Sequence, residues 1–114
     1  MLPVGNLNVQ RDIADVRDQV RAFDLAVDRL RFGEAYNFSR SKPYEIRDLL
    51  RTAVRLSNRK IRPVVSKKLL RPTDEPVIWG DNRKLLRALR IKYQVPIETT
   101  IDDMLQFARD HPRS

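Results

Sequence analysis

The three glycines of this 114-residue sequence stand far apart, at positions 5, 33 and 80. No Gly-x-Gly-x-x-Gly turn can be assembled from them, so a backbone cradle for a dinucleotide pyrophosphate is excluded. A compact chain of this length has a radius of gyration of roughly 13 Å, enough for one hydrophobic layer and one domain over residues 1–114. Without cysteine and with His111 as the only histidine, disulfides, thiolate metal sites, a cysteine nucleophile and a histidine zinc set are ruled out. Apolar runs as short as Pro63-Val64-Val65, and the charges Arg11, Asp12, Asp15, Arg17 and Asp18 near the start, predict a cytoplasmic chain with no membrane span.

Apolar spacing places the helices. Val16, Val20, Phe23, Val27 and Leu30 recur at helical intervals and predict a helix from Asp15, closed by Gly33, with that stripe against the core. A second helix is predicted from Pro43, with Ile46, Leu49, Leu50, Ala53 and Leu56 as its stripe and Ser57-Asn58 as its stop. Asp81 is placed to cap a third through Leu85, Leu86 and Leu89. After Val95-Pro96 the last begins at Ile97, its acids Glu98, Asp102 and Asp103 set toward the end that the helix dipole favours.

Short strands are expected at Met1–Val9, with a turn or bulge at Gly5-Asn6, at Glu34–Phe38 and at Val77–Gly80. Lys60–Ser66 is β-branched but holds Pro63, which confines it to an edge. The fold class is therefore α/β or α+β, with three to four helices and several short strands.

Several segments carry more than periodicity. Gly5-Asn6-Leu7-Asn8-Val9-Gln10-Arg11-Asp12 through Asp15-Val16-Arg17-Asp18, Gly33-Glu34-Ala35-Tyr36-Asn37, Arg71-Pro72-Thr73-Asp74, Gly80-Asp81-Asn82-Arg83-Lys84 and Pro96–Ile101 follow one another in a family's order. The sequence resembles the C-terminal, substrate-binding portion of extended short-chain dehydrogenases/reductases, the NAD-dependent epimerase/dehydratase family. The branch it most resembles comprises the GDP-mannose 4,6-dehydratases and GDP-4-keto-6-deoxymannose reductases.

The resemblance implies a GDP-sugar ligand and an NAD(P) cofactor held by a Rossmann domain of the parent enzyme. That domain and its Tyr-x-x-x-Lys pair are missing here. The residues four after Tyr36, Tyr44 and Tyr93 are Arg40, Asp48 and Ile97, so no cofactor site and no catalytic residue is expected in this chain. Its expected partners are the sugar nucleotide and either a separate Rossmann half or further copies of itself. Two family glycine turns are replaced, by Phe38-Ser39-Arg40-Ser41 and by Arg90-Ile91-Lys92-Tyr93. If those positions need positive φ, a residue with a Cβ costs roughly 1 kcal/mol or more there.

Arg11 and Arg71 are the candidate diphosphate clamps that the resemblance implies, since a guanidinium can give two parallel hydrogen bonds to phosphate oxygens. Composition alone reads them as surface arginines paired with Asp12 and Asp74. Asp74 is either a ribose or guanine contact or an Asx-turn residue, and Asn6 either an amide for sugar or phosphate or a turn residue. Trp79 and Phe107 are expected in the core. A different class also fits the formal net charge of +8 and the Arg47, Arg51, Arg55 stripe, namely a small basic nucleic-acid-binding or adaptor protein. Against it, the sequence holds no helix-turn-helix, no aromatic RNA platform and no Gly-x-x-Gly loop, and Phe23, Tyr36, Phe38 and Trp79 are expected on core faces.

Overall fold

The computed structural model describes residues 1–113, with element order β1 (Leu2–Val4), β2 (Gln10–Asp12), α1 (Val16–Arg29), β3 (Pro43–Glu45), α2 (Ile46–Ser57), β4 (Pro63–Val65), β5 (Val77–Ile78), α3 (Arg83–Leu89) and α4 (Ile97–Asp110). A single 3-10 turn, Lys67–Leu69, lies between β4 and β5. The architecture is α/β, with four helices and short strands as expected. β1 pairs in parallel with β4, Leu2 opposite Pro63, while β2 lies between antiparallel β3 and parallel β5. Pro63 opens its strand at the edge of a two-stranded ribbon, where its missing N–H leaves no gap in a ladder.

Local chemistry explains most boundaries. Asp15 caps α1, its carboxylate accepting the amide of Arg17 at 2.8 Å. Asn58 ends α2 in the left-handed region at φ 56°, a conformation that asparagine tolerates. Pro43 begins a strand, and α2 starts only at Ile46, because β3 pairs with β2 before the chain turns into the helix. Asn82 occupies the cap position of α3, one residue later than expected, yet the Asp81 carboxylate still accepts the Arg83 amide at 3.0 Å. Gly33, at φ +82°, lies in the turn beyond α1, whose own cap is Leu30.

Three expectations are overturned. Val16, Val20, Phe23 and Val27 do not face the core: they stand 53–84% exposed, and α1 buries Asp18 and Ala22 instead. Ala22 packs with Leu85 and Leu89 of α3, inside a shell of Leu25, Ala26, Leu30, Tyr36, Phe38, Ile91 and Tyr93. The segment Glu34–Phe38 holds no regular secondary structure and pairs with no strand among the described residues. Trp79 and Phe107 are likewise exposed rather than core.

Three aspartates at three-residue intervals hold the elements together. Asp12 accepts the amides of Arg40, Ser41 and Gly80 at 2.9–3.1 Å. Asp15 accepts the Thr100 hydroxyl of α4 at 2.6 Å, and Asp18 accepts the amides of Gln94 and Val95. Both Asp15 and Asp18 are buried; a carboxylate in such a place persists because several donors replace its water. The Arg17 guanidinium, bonded to both oxygens of Asp15, holds that carboxyl well below the usual range.

Both turns where glycine is replaced adopt positive φ, at Ser41 (62°) and Arg90 (57°). Ser41 offsets that strain, since its hydroxyl donates to the Gly80 carbonyl at 2.5 Å and accepts the Asn82 amide at 2.7 Å. Arg90 has no comparable compensation in its side chain. Among the described residues, no helix is long and apolar enough to cross a membrane.

Candidate functional site

A cleft of about 510 Å³ lies between the β1–β2 connection, the first turn of α2 and the strand β4 with the loop beyond it, lined by Asn6, Leu7, Asn8, Arg47, Val65, Leu70, Arg71 and Pro72. Its polar side is a relay. The Asn6 side-chain oxygen accepts the Asn8 amide at 2.9 Å, and the Asn8 side-chain oxygen accepts from the Arg47 guanidinium at 2.7 Å. Asn6 is thus a turn residue whose side-chain NH2 remains for a ligand. Among the described residues, Arg71 makes no hydrogen bond or ion pair within the chain and is exposed beside Pro72. Two cations, two amides and four apolar side chains line the cleft, and Arg47 also pairs at 3.7 Å with Glu45, which is not part of the lining. That combination accommodates an anionic group joined to a flat apolar ring, and the volume is in the range of small-molecule sites.

Of the four candidates, the structure brings Asn6 and Arg71 into this cleft. Arg11 lies on β2, and its guanidinium donates at 2.8 Å to the carbonyls of Gln10 and Glu75. It therefore fastens the Arg71–Pro76 turn to the sheet, reinforced by the Gln10 amide on the Pro76 carbonyl at 2.8 Å. Asp74 is half-buried in that turn and does not line the cleft. Arg47 and Asn8 were not among the candidates. Their signal was weak: Arg47 stood in the sequence only as the first member of an arginine stripe.

That stripe lines an adjoining groove of about 490 Å³, where Arg47, Arg51 and Arg55 border Leu7, Leu50, Val54, Pro63 and Val65. Leu7, Arg47 and Val65 are common to both spaces. Elsewhere, Arg83 draws the Asp81 carboxyl down to about 2, and Lys84 lowers that of Glu34. These are exposed ion pairs of 2.6 and 3.1 Å, of the kind that contributes little.

The glycines offer no cofactor cradle. A Cβ on Gly80 would fall 2.7 Å from the Ser39 hydroxyl and one on Gly5 would fall 3.1 Å from the Leu69 carbonyl, so this chain itself fills the space beside each; Gly33 has nothing near it. Burial raises the Tyr93 phenol above its usual value, the opposite of what an acid-base tyrosine requires. The described residues hold no group of three His, Asp or Glu fit for a metal.

No family model matches the chain. Its α/β fold is similar to part of several solved enzymes of the NAD-dependent epimerase/dehydratase group. One is RMD from Pseudomonas aeruginosa complexed with NADPH, at 23% identity over 92% of this chain and 34% of that one, with a TM-score of 0.85. Another is a putative epimerase from Burkholderia cenocepacia J2315, at 26% identity, 96% and 36% coverage and a TM-score of 0.88. A third is UDP-glucose 4-epimerase from Bifidobacterium longum in complex with NAD+ and UDP, at 18% identity, 92% and 31% coverage and a TM-score of 0.79. The chain spans about a third of the length of the enzymes it matches.

Proposed function

We propose that this chain is the nucleotide-sugar-binding portion of an NAD(P)-dependent epimerase, dehydratase or reductase, and that its ligand is a GDP-sugar. The carboxylate-free cleft in which Arg47 and Arg71 face Asn6 carries the reading. Arg71, with no partner among the described residues, takes the diphosphate. Arg47 adds a second charge, and Leu7, Val65 and Leu70 lie against the base. Arg11 acts by holding the Arg71 turn, through Glu75, at the distance that the ligand needs. The GDP-sugar assignment rests on the sequence resemblance to GDP-mannose 4,6-dehydratases and GDP-4-keto-6-deoxymannose reductases.

The chain binds and orients; the redox chemistry belongs to a cofactor held elsewhere, on a separate Rossmann half or in a larger assembly. Alone it turns over neither GDP-mannose nor its 4-keto derivative, because no residue here brings a nicotinamide to within about 3–3.5 Å of a sugar carbon. Calorimetric titration with GDP tests the assignment. Binding is expected near a Kd of ~1 mM, since a one-walled cleft lacks preorganisation. Arg71→Ala and Arg47→Ala should each weaken it. Binding of GDP that neither substitution affects, or none at ~10 mM, which is ten times that Kd, would overturn the reading. A labelled DNA duplex that binds with steep salt dependence and resists GDP would support the nucleic-acid alternative instead.

A further inference from the structure

We infer that residues 55–69, from the last turn of α2 through β4 to the 3-10 turn, form a docking surface for an anionic lipid bilayer, which the chain meets peripherally. The inference is independent of what the nucleotide cleft binds, since none of the cations it uses, and not Leu69 either, lines that cleft.

Charge singles this part of the chain out. Of the 23 arginines and lysines and 15 acids in the sequence, eight of the former and none of the latter lie between Leu49 and Thr73. Outside that stretch the two signs balance, so it holds the whole formal net charge of +8. All eight cations are exposed. Arg51 pairs with Asp48 at 3.6 Å, whereas Arg55, Arg59, Lys60, Arg62, Lys67 and Lys68 have no side-chain hydrogen bond or ion pair among the described residues.

Folding gathers these charges. Arg51 and Arg55 on α2 border one groove with Pro63 and Val65 of β4. Arg59, Lys60 and Arg62 stand in or at the end of the α2–β4 connection, and Lys67 and Lys68 in the turn that follows β4. Like charges so placed repel one another, and no acid among the described residues neutralises the six. An apolar tip lies beside them. Leu69 is 51% exposed in the turn Lys67–Leu69, and Val65, two residues before that turn, is 48% exposed.

The combination selects the partner. A leucine next to lysines can enter the headgroup region while the ammonium groups stay at the lipid phosphates. Residues 49–73 contain no aromatic side chain, so a nucleic acid finds no platform on which its bases stack. A folded acidic protein finds no aromatic anchor either, and it would have to cover lysines, which protein interfaces deplete. An anionic leaflet needs neither device, because mobile headgroups gather under dispersed cations.

Cosedimentation of the 114-residue chain with vesicles of phosphatidylcholine containing about one third phosphatidylserine, at about 0.15 M salt, tests the inference. We expect binding to these vesicles and none to phosphatidylcholine alone. Lys67→Gln with Lys68→Gln should weaken it ~25-fold, at about fivefold per lysine. The same loss of charge outside the segment, Arg31→Gln with Arg87→Gln, should change it by less than about twofold. Leu69→Trp, made in a Trp79→Phe chain, should emit at shorter wavelength on the anionic vesicles, as an indole does in the headgroup region. No binding to the anionic vesicles, equal losses from the two charge pairs, or an unshifted emission from the bound Leu69→Trp chain would each overturn the inference. A labelled DNA duplex that strips the chain from vesicles on which the emission does not shift would overturn it in favour of nucleic acid.

Discussion

Helices α1 and α2 have the same kind of apolar spacing and opposite fates. In α2, Ile46, Leu49, Leu50 and Ala53 meet Ile97, Ile101, Met104 and Leu105 of α4 across a gap of about 530 Å³ lined almost wholly by apolar side chains. In α1, the stripe with the clearer helical period faces solvent, and a second, smaller set centred on Ala22 packs against α3. Periodicity thus marks a face as apolar. It does not state whether the rest of the chain packs on it.

The sharpest way to break this comparison is to remove the packing partner of the inner face of α1 and, separately, a side chain of its outer face. Leu85→Ala, opposite Ala22, removes a fully buried side chain and should cost about 2–5 kcal/mol. Val20→Ser on the outer face should change stability by less than about 0.5 kcal/mol. Urea unfolding of both variants measures the contrast, and similar losses would mean that the outer face is already packed. Gly80→Ala comes next, because its Cβ would meet the Ser39 hydroxyl at 2.7 Å. Overpacking there should cost about 1–3 kcal/mol in the same assay.

A smaller effect separates the two strained turns. Arg90→Gly relieves a left-handed residue with no compensating side-chain bond and should stabilise by about 0.5–1 kcal/mol, after the entropic cost of glycine in the unfolded chain. Ser41→Gly should instead lose about 1 kcal/mol, because the hydroxyl bonds to Gly80 and Asn82 disappear with it. Thermal unfolding should therefore shift in opposite directions for the two substitutions.

The last contrast is in pH. Asp15 has a folded pKa lowered by Arg17 from the ordinary 3.8, so its contribution is fully present above about pH 4 and is lost as the pH falls below that. Melting temperatures measured between pH 7 and 2 should fall less steeply on the acid side for Asp15→Asn than for the parent chain. Parallel acid limbs would remove Asp15 from the account.

Helices α2, α3 and α4 were legible because their apolar positions meet partners within the chain: Leu85 and Leu89 of α3 are buried, and the stripe of α2 lies half-buried against α4, whose Met104 stays exposed. The strand β2 was not, since Gln10-Arg11-Asp12 holds no apolar residue and is fixed by its two neighbours. Glu34–Phe38 reads as a strand in the sequence yet pairs with no strand among the described residues, because alternation alone does not supply a neighbour. Asp15 and Asp18 read as charges at a helix start and Asp12 as a surface partner of Arg11; that the three receive amides or hydroxyls from residues 40, 80, 94 and 100 depends on contacts no local pattern carries. At the cleft, Asn6 and Arg71 were visible by resemblance. Arg47 was hidden in a repeat of arginines, and only the turn from β3 into α2 sets it apart from Arg51 and Arg55.

Titration of the isotope-labelled chain with GDP, followed by amide NMR shifts, tests the central claim most directly. The account predicts saturable shifts at residues 6–8, 47, 70 and 71, with α1 and the 34–38 segment unmoved, and their loss in Arg71→Ala. Shifts confined to α1 or 34–38, or spread evenly over the arginines without saturation, would contradict it.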